Sequence, residues 1–110
     1  MINTAYQTSI TTNNNYNVYE IWLNNIPVYV GLTRCPKSRL YYHIYGAMHN
    51  LSNNPNKDKY ITKMMLRGFM PTMKIVYGGI QDKNTALELE SNLIRQYNGS
   101  LLNMLKTKKD

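Results

Sequence analysis

The chain has 110 residues, enough for one domain and too few for two. It carries 13 Lys+Arg against 6 Asp+Glu, a formal charge of +7, which favours an anionic partner. Cys35 is the only cysteine, which excludes an internal disulfide and a multi-cysteine zinc site. No apolar run approaches the ~20 residues of a membrane span, and the first ten residues lack a signal peptide's basic start and apolar run.

These features predict a soluble, intracellular (cytoplasmic) protein. Nucleic acid is the first candidate partner, ahead of an acidic membrane surface or a basic face with no partner at all. Ten tyrosines against one phenylalanine give much of the aromatic mass a hydroxyl that can hydrogen-bond, stack or exchange a proton. The wealth of Asn, Lys, Ile and Tyr is the pattern of AT-rich coding and points to a phage or mobile element.

Residues 1–16 are polar and read as an arm, and 105–110 as a short basic tail. Residues 17–23 (NVYEIWL) and 26–32 (IPVYVGL) are rich in β-branched and aromatic side chains. Asn24-Asn25 lies between them, so the pair predicts a hairpin. Pro36 suits the first position of a helix running to about Leu51. The loop SNNPN follows, then a helix over about 57–67 with Tyr60, Ile61, Met64 and Met65 inward, ended by Gly68. Residues 72–78 read as a third strand. Thr85 and Glu88 have capping-box spacing and open a last helix to about Tyr97, with Gly99 just past its end. The expected fold is α/β (α+β): a small three-stranded, mainly antiparallel sheet flanked by helices, in the order β-β-α-α-β-α.

On the 36–51 helix, Leu40, Ile44, Ala47 and Leu51 form one apolar stripe. Arg39, His43 and Asn50 run beside it, with the small Gly46 between them. Arg39 and His43 are neighbours at i and i+4. Such a row can receive a phosphate on the arginine fork and move a proton through histidine, or it can be an ordinary solvated strip. His49 falls on another face and takes no role. On the last helix Glu90 lies within the inward stripe of Ala86, Leu89, Leu93, Ile94 and Tyr97. A carboxylate there needs a partner, a raised pKa or a cation. Either a salt bridge, for instance to Arg39, or a metal or acid–base role satisfies that requirement.

In chain order these residues are Val18-Tyr19, Tyr29-Val30-Gly31, Arg39-x-x-x-His43, Glu90-x-x-x-Ile94 and Leu102-Asn103. The set resembles the GIY-YIG nuclease family over about residues 17–104, as a stand-alone, single-domain member. Asn17-Val18-Tyr19 stands at the GIY position and Tyr29-Val30-Gly31 at YIG. Thr33 stands where a small hydroxyl residue is common. Asn17 replaces the glycine of GIY, at a slot that carries no chemistry. The resemblance implies a metal-dependent DNA endonuclease. Glu90 would hold one Mg²⁺ (or Mn²⁺), and Arg39 would stabilise the phosphate. Tyr19, helped by His43, would take a proton from the attacking water, with its pKa lowered by Arg39 and the metal. Tyr29 would position the phosphate and Asn103 would orient the site. Lys37, Thr33 and Arg34 are candidate nucleic-acid contacts.

Target choice would fall to loops, the N-terminal arm, a homodimer or a partner protein. A non-cleaving nucleic-acid-binding module of the same fold is the alternative. Two tyrosines acting together must share one sheet face. A two-residue turn pairing Leu23 with Ile26 in a regular ladder would oppose them, so an odd loop or a bulge is expected.

Overall fold

The computed structural model describes residues 15–103. The arm up to residue 14 and the basic tail 105–110 lie outside the described residues. The elements are β1 (Tyr16–Leu23), β2 (Ile26–Thr33), α1 (Pro36–His49), α2 (Pro55–Leu66), β3 (Thr72–Ile80) and α3 (Lys83–Gln96). β1 therefore begins inside the stretch read as an arm. The sheet is antiparallel, with order β2-β1-β3. The α+β order expected from the sequence is the one that forms.

β1 is the central strand, and its alternation divides the core in two. Tyr19, Ile21 and Leu23 pack with Ala47 of α1 and with Ile61 and Met64 of α2. Val18 and Val30 pack on the other face against Leu93 of α3. Glu20, on the α3 side, is buried but satisfied: it accepts from Trp22 Nε1 (2.8 Å) and from the Tyr97 hydroxyl. Burial and then Glu20 push the Tyr97 hydroxyl up to about 12, so it stays the donor.

The hairpin turn is Asn24-Asn25, with φ of 52° and 64°, the left-handed pair that matches strand twist. Leu23 pairs with Ile26 and Trp22 with Pro27, but Ile21 pairs with Tyr29. Val28 is the extra residue, so the expected bulge is present. It places Tyr29 on the same face as Tyr19, Ile21 and Gly31. Pro27 is tolerated because β2 is an edge strand and the bulge adjoins it.

Three local readings change. α2 starts at Pro55, not near 57, because Asn54 caps it by accepting from the Lys57 N–H (3.2 Å). α3 starts at Lys83, because Asp82 Oδ2 accepts from the Thr85 N–H and hydroxyl at 2.8 Å. Thr85 is thus the partner of the cap and not the cap. α1 stops at His49, with Asn50 left-handed, and Leu51 beyond it is 65% exposed. The face of α1 that enters the core carries His43, Gly46 and Ala47, so His43 and Gly46 are buried beside the stripe while Arg39 and Asn50 stay exposed.

Asn17 explains the missing glycine. Its buried amide donates to Thr33 O on β2 (3.2 Å) and accepts from Gly79 N on β3 (3.4 Å), which ties three strands at one end of the sheet.

Candidate active site

Tyr19 and Tyr29 meet on the α1 side of the sheet, with ring centroids 6.3 Å apart. His43 reaches them from α1. Its ring lies 4.9 Å from Tyr29, and its Nε2 is 2.7 Å from Tyr19 Oη. His43 Nδ1 is 2.9 Å from Nζ of Lys57 on α2. A single line of hydrogen bonds therefore joins Tyr19, His43 and Lys57. The Lys57 ammonium also lies over the Tyr29 ring (5.3 Å) and 3.8 Å from Asp58 Oδ1. Ser52 Oγ donates to that same oxygen (2.8 Å), while Asp58 Oδ2 has no partner.

The charge on Lys57 sets the direction of the line. An ammonium only donates, so Nδ1 must accept and the imidazole proton sits on Nε2, facing Tyr19. A neutral amine reverses it: Nδ1–H donates to Nζ, and the tyrosine hydroxyl donates to Nε2. Burial lowers the Lys57 pKa, Asp58 opposes this, and Arg39 adds to it.

Sequence reading missed Lys57. The Asn54-Pro55 pair is the same cap-plus-proline signal as Cys35-Pro36, and it would have placed Lys57 in a first turn. A cation there opposes the helix dipole, which is a signal in itself.

Neither expected base is tuned as one by the protein alone. Burial holds Tyr19 far above the ordinary phenol range. Tyr29 and Glu90 add to this, and the expected lowering by Arg39 is outweighed. Burial, Lys57 and Arg39 hold His43 down to about 3, so it is neutral across the working range. The unfolded chain binds this proton below about 6.5, whereas the folded chain does not until about 3. Stability from His43 is therefore present above 6.5 and is lost as pH falls, by up to about 1.4 kcal/mol per unit. Urea titrations should show a shallower acid slope for His43→Gln than for the parent between about pH 6.5 and pH 5.

Gly31 shows why this strand position lacks a side chain. It pairs with Tyr19 across the ladder, and a Cβ would stand 2.8 Å from Tyr19 Cε2 and closer still to Cζ and the hydroxyl.

Arg39 is exposed and joins two cavities. One, of about 540 Å³, is lined by Tyr29, His43, Tyr45 and Lys57 among others. The second, of about 420 Å³, is lined by Tyr16, Thr33 and Arg34. They share Arg39 and Tyr42, and among the described residues no carboxylate lines either.

Glu90 comes from α3, across the sheet. It is half-buried, and among the described residues it has no hydrogen bond or ion pair, so the Arg39 salt bridge does not form. Burial raises its pKa, and its charge raises that of both tyrosines. No group of three metal-ligating side chains occurs among the described residues.

Asn103 touches none of the reacting groups. Its side-chain amide accepts from Val30 N (2.9 Å) and donates to Val30 O (2.7 Å), acting as one residue of an added strand on the open edge of β2. It fixes the backbone between Tyr29 and Gly31. The Thr33 hydroxyl accepts from Cys35 N (3.0 Å) at the entry to α1, and Thr33 is buried at the wall of the second cavity. Arg34 lies over the Tyr16 ring (5.0 Å), and Lys37 is exposed.

The sheet and α1 thus bring two tyrosines, a histidine and an arginine together. The family description GIY-YIG catalytic domain matches residues 15–103. The chain belongs to the GIY-YIG family, whose members are generally endonucleases. Neither a curated protein nor a solved structure matches it. No helix among the described residues is long and apolar enough to cross a membrane.

Proposed function

We propose that the chain is a metal-dependent DNA endonuclease that hydrolyses phosphodiester bonds. The observation that carries this reading is the Tyr19–His43–Lys57 line beside Arg39, at a cavity lined by cations and, among the described residues, by no carboxylate.

Glu90 fits a hard divalent ion such as Mg²⁺ or Mn²⁺. Its carboxylate is half-buried and unpaired, and such ions are held by one or two carboxylates, waters and the substrate phosphate. A closed zinc site does not fit, since the cluster it needs does not occur among the described residues. When bound, the ion stabilises charge on the leaving oxygen.

Arg39 clamps the phosphate with its planar fork of donors. As water attacks phosphorus, its proton passes to Tyr19 Oη. The Tyr19 proton passes to His43 Nε2, and the Nδ1 proton passes to a neutral Lys57 amine. The bond from phosphorus to the leaving oxygen breaks, and Lys57 ends as an ammonium. This route spares Tyr19 from existing as a free phenolate, which its burial opposes. Tyr29 borders the same cavity and would position the phosphate. Asn103 positions Tyr29 through Val30 and has no catalytic contact.

Supercoiled plasmid should be nicked or linearised with Mg²⁺ and left intact with EDTA. Glu90→Gln should need on the order of a hundredfold more Mg²⁺, from the loss of one charged ligand worth about 2–3 kcal/mol. An unchanged Mg²⁺ requirement would remove Glu90 from the metal. The raised Tyr19 and lowered His43 values favour one other reading, a non-cleaving nucleic-acid-binding module. Salt-sensitive binding with no Mg²⁺-dependent cleavage of any duplex or branched substrate would select it.

A further inference from the structure

The face of α1 that turns away from the core carries Tyr41, Tyr42 and Tyr45, at 58%, 59% and 41% exposure. These rings are ordered against one another. Tyr41 and Tyr45 stack at an interplanar angle of 17° with centroids 5.7 Å apart, and Tyr45 continues to His49 at 4.3 Å. Tyr42 packs edge-on against Tyr41 at 5.5 Å. Stacking at i, i+4 accounts for a ladder along a helix. It does not account for where the ladder stands.

Tyr42 is, with Arg39, the shared wall of the two cavities, and Tyr45 lines the larger one. The residue that meets the phosphate and an exposed aromatic face therefore occupy one ridge, with a groove on either side. Arg39 stands between the grooves and Arg34 in one of them, and among the described residues no carboxylate lines either. Aromatic faces interleaved with cations, and free of acids, are what an unpaired nucleic-acid strand binds. The cations follow its phosphates, and the rings take its bases whatever their sequence. Paired bases stack on their neighbours and cannot offer a face to a side chain unless they are opened.

We propose that Tyr42 is a base-stacking platform, over which an unpaired strand crosses from one groove to the other with its phosphate at Arg39. The preferred substrate is then a nucleic acid with unpaired bases next to the cut, such as a single strand, flap or bubble. Tyr41, edge-on against Tyr42 and stacked on Tyr45, holds the platform. This rests on the nuclease reading and specifies its substrate.

The test measures binding by the full chain in EDTA, so that no cleavage intervenes. Fluorescent oligonucleotides of one sequence are offered as a single strand, as a perfect duplex, and as a duplex with a central unpaired stretch. The two unpaired probes should bind at least about tenfold more tightly than the duplex at equal salt. Tyr42→Ala should weaken them roughly 10- to 100-fold, the cost of one lost stacking partner, and leave duplex affinity unchanged. Tyr42→Trp should retain tight binding. A 2-aminopurine base in the single strand should be quenched by the parent and by Tyr42→Trp, and not by Tyr42→Ala.

Equal affinity for duplex and single strand, with no effect of Tyr42→Ala, would overturn the platform and leave the nuclease reading standing. No binding of any probe at low salt would overturn both. If Tyr41→Ala or Tyr42→Ala instead changes the sedimenting mass and not the affinity, the face is a contact between two copies of the chain and the platform is wrong.

Discussion

Lys57→Met should slow cleavage by about 10³-fold, within the 10²–10⁴ that a proton acceptor supplies. The methionine keeps most of the buried volume and removes the end of the line beyond His43 Nδ1. Stability should fall as well, by about 3–5 kcal/mol, because Asp58 is left 1% exposed with no counter-charge. The two effects separate in the Lys57→Met/Asp58→Asn double variant. Removing both charges should restore most of the stability, and activity should stay low. Recovery of activity along with stability would mean that Lys57 is only structural.

The pH dependence gives an independent reading of the same role. The working form of Lys57 is the neutral amine, and burial lowers its pKa from the usual lysine value. Cleavage should rise with pH as the ammonium is lost, and should fall as pH drops through that lowered value. Lys57→Arg should not recover the rate at any pH, since a guanidinium does not deprotonate in a protein. Nitrogen-15 shifts of His43 report the same switch directly: the imidazole proton should move from Nε2 to Nδ1 as Lys57 loses its proton. A proton fixed on one nitrogen across that titration would contradict the switch.

Gly31→Ala should also cost activity on the order of 10²-fold, without touching any polar group. Gly31 is not in the left-handed region, so its backbone accepts alanine. The cost comes from Tyr19, whose ring occupies the volume of the new methyl. The ring must move by about 1 Å to reach ordinary contact with the new methyl, away from a 2.7 Å contact with His43. Misplacement by about 1 Å is enough for a hundredfold loss. Overpacking should destabilise the fold by about 1–3 kcal/mol. A double-mutant cycle isolates the cause: in a Tyr19→Ala background, Gly31→Ala should cost almost nothing more. Additive losses would show that Gly31 acts through something other than Tyr19.

Much of this protein was legible in its sequence. Strand alternation, Pro36 at a helix start and the Asn24-Asn25 turn are local signals, read within a few residues of themselves. They fixed the element order. The tyrosines, Arg39-x-x-x-His43, Glu90 and Asn103 gave the family, because the order of chemical residue types survives without coordinates. Even the bulge followed from counting, since two tyrosines cannot share a face across a regular two-residue hairpin.

The remainder depended on distances between segments far apart in the chain. Lys57 reads as a surface lysine until α2 packs on α1 and brings Nζ to His43. Burial, which no pattern measures, outweighs Arg39 at Tyr19 and makes His43 a neutral link. Asn103 holds the Val30 backbone beside Tyr29, a pairing that only the docked C-terminal segment reveals. Asn17 gained a role for the same reason: its amide joins three strands that meet only in the folded sheet. The sequence by itself determined the element order and the family, through the order of its tyrosines, Arg39, His43, Glu90 and Asn103. The tertiary structure decided which groups can pass a proton to one another, because hydrogen-bond contacts and desolvation exist only once the chain has closed around these groups.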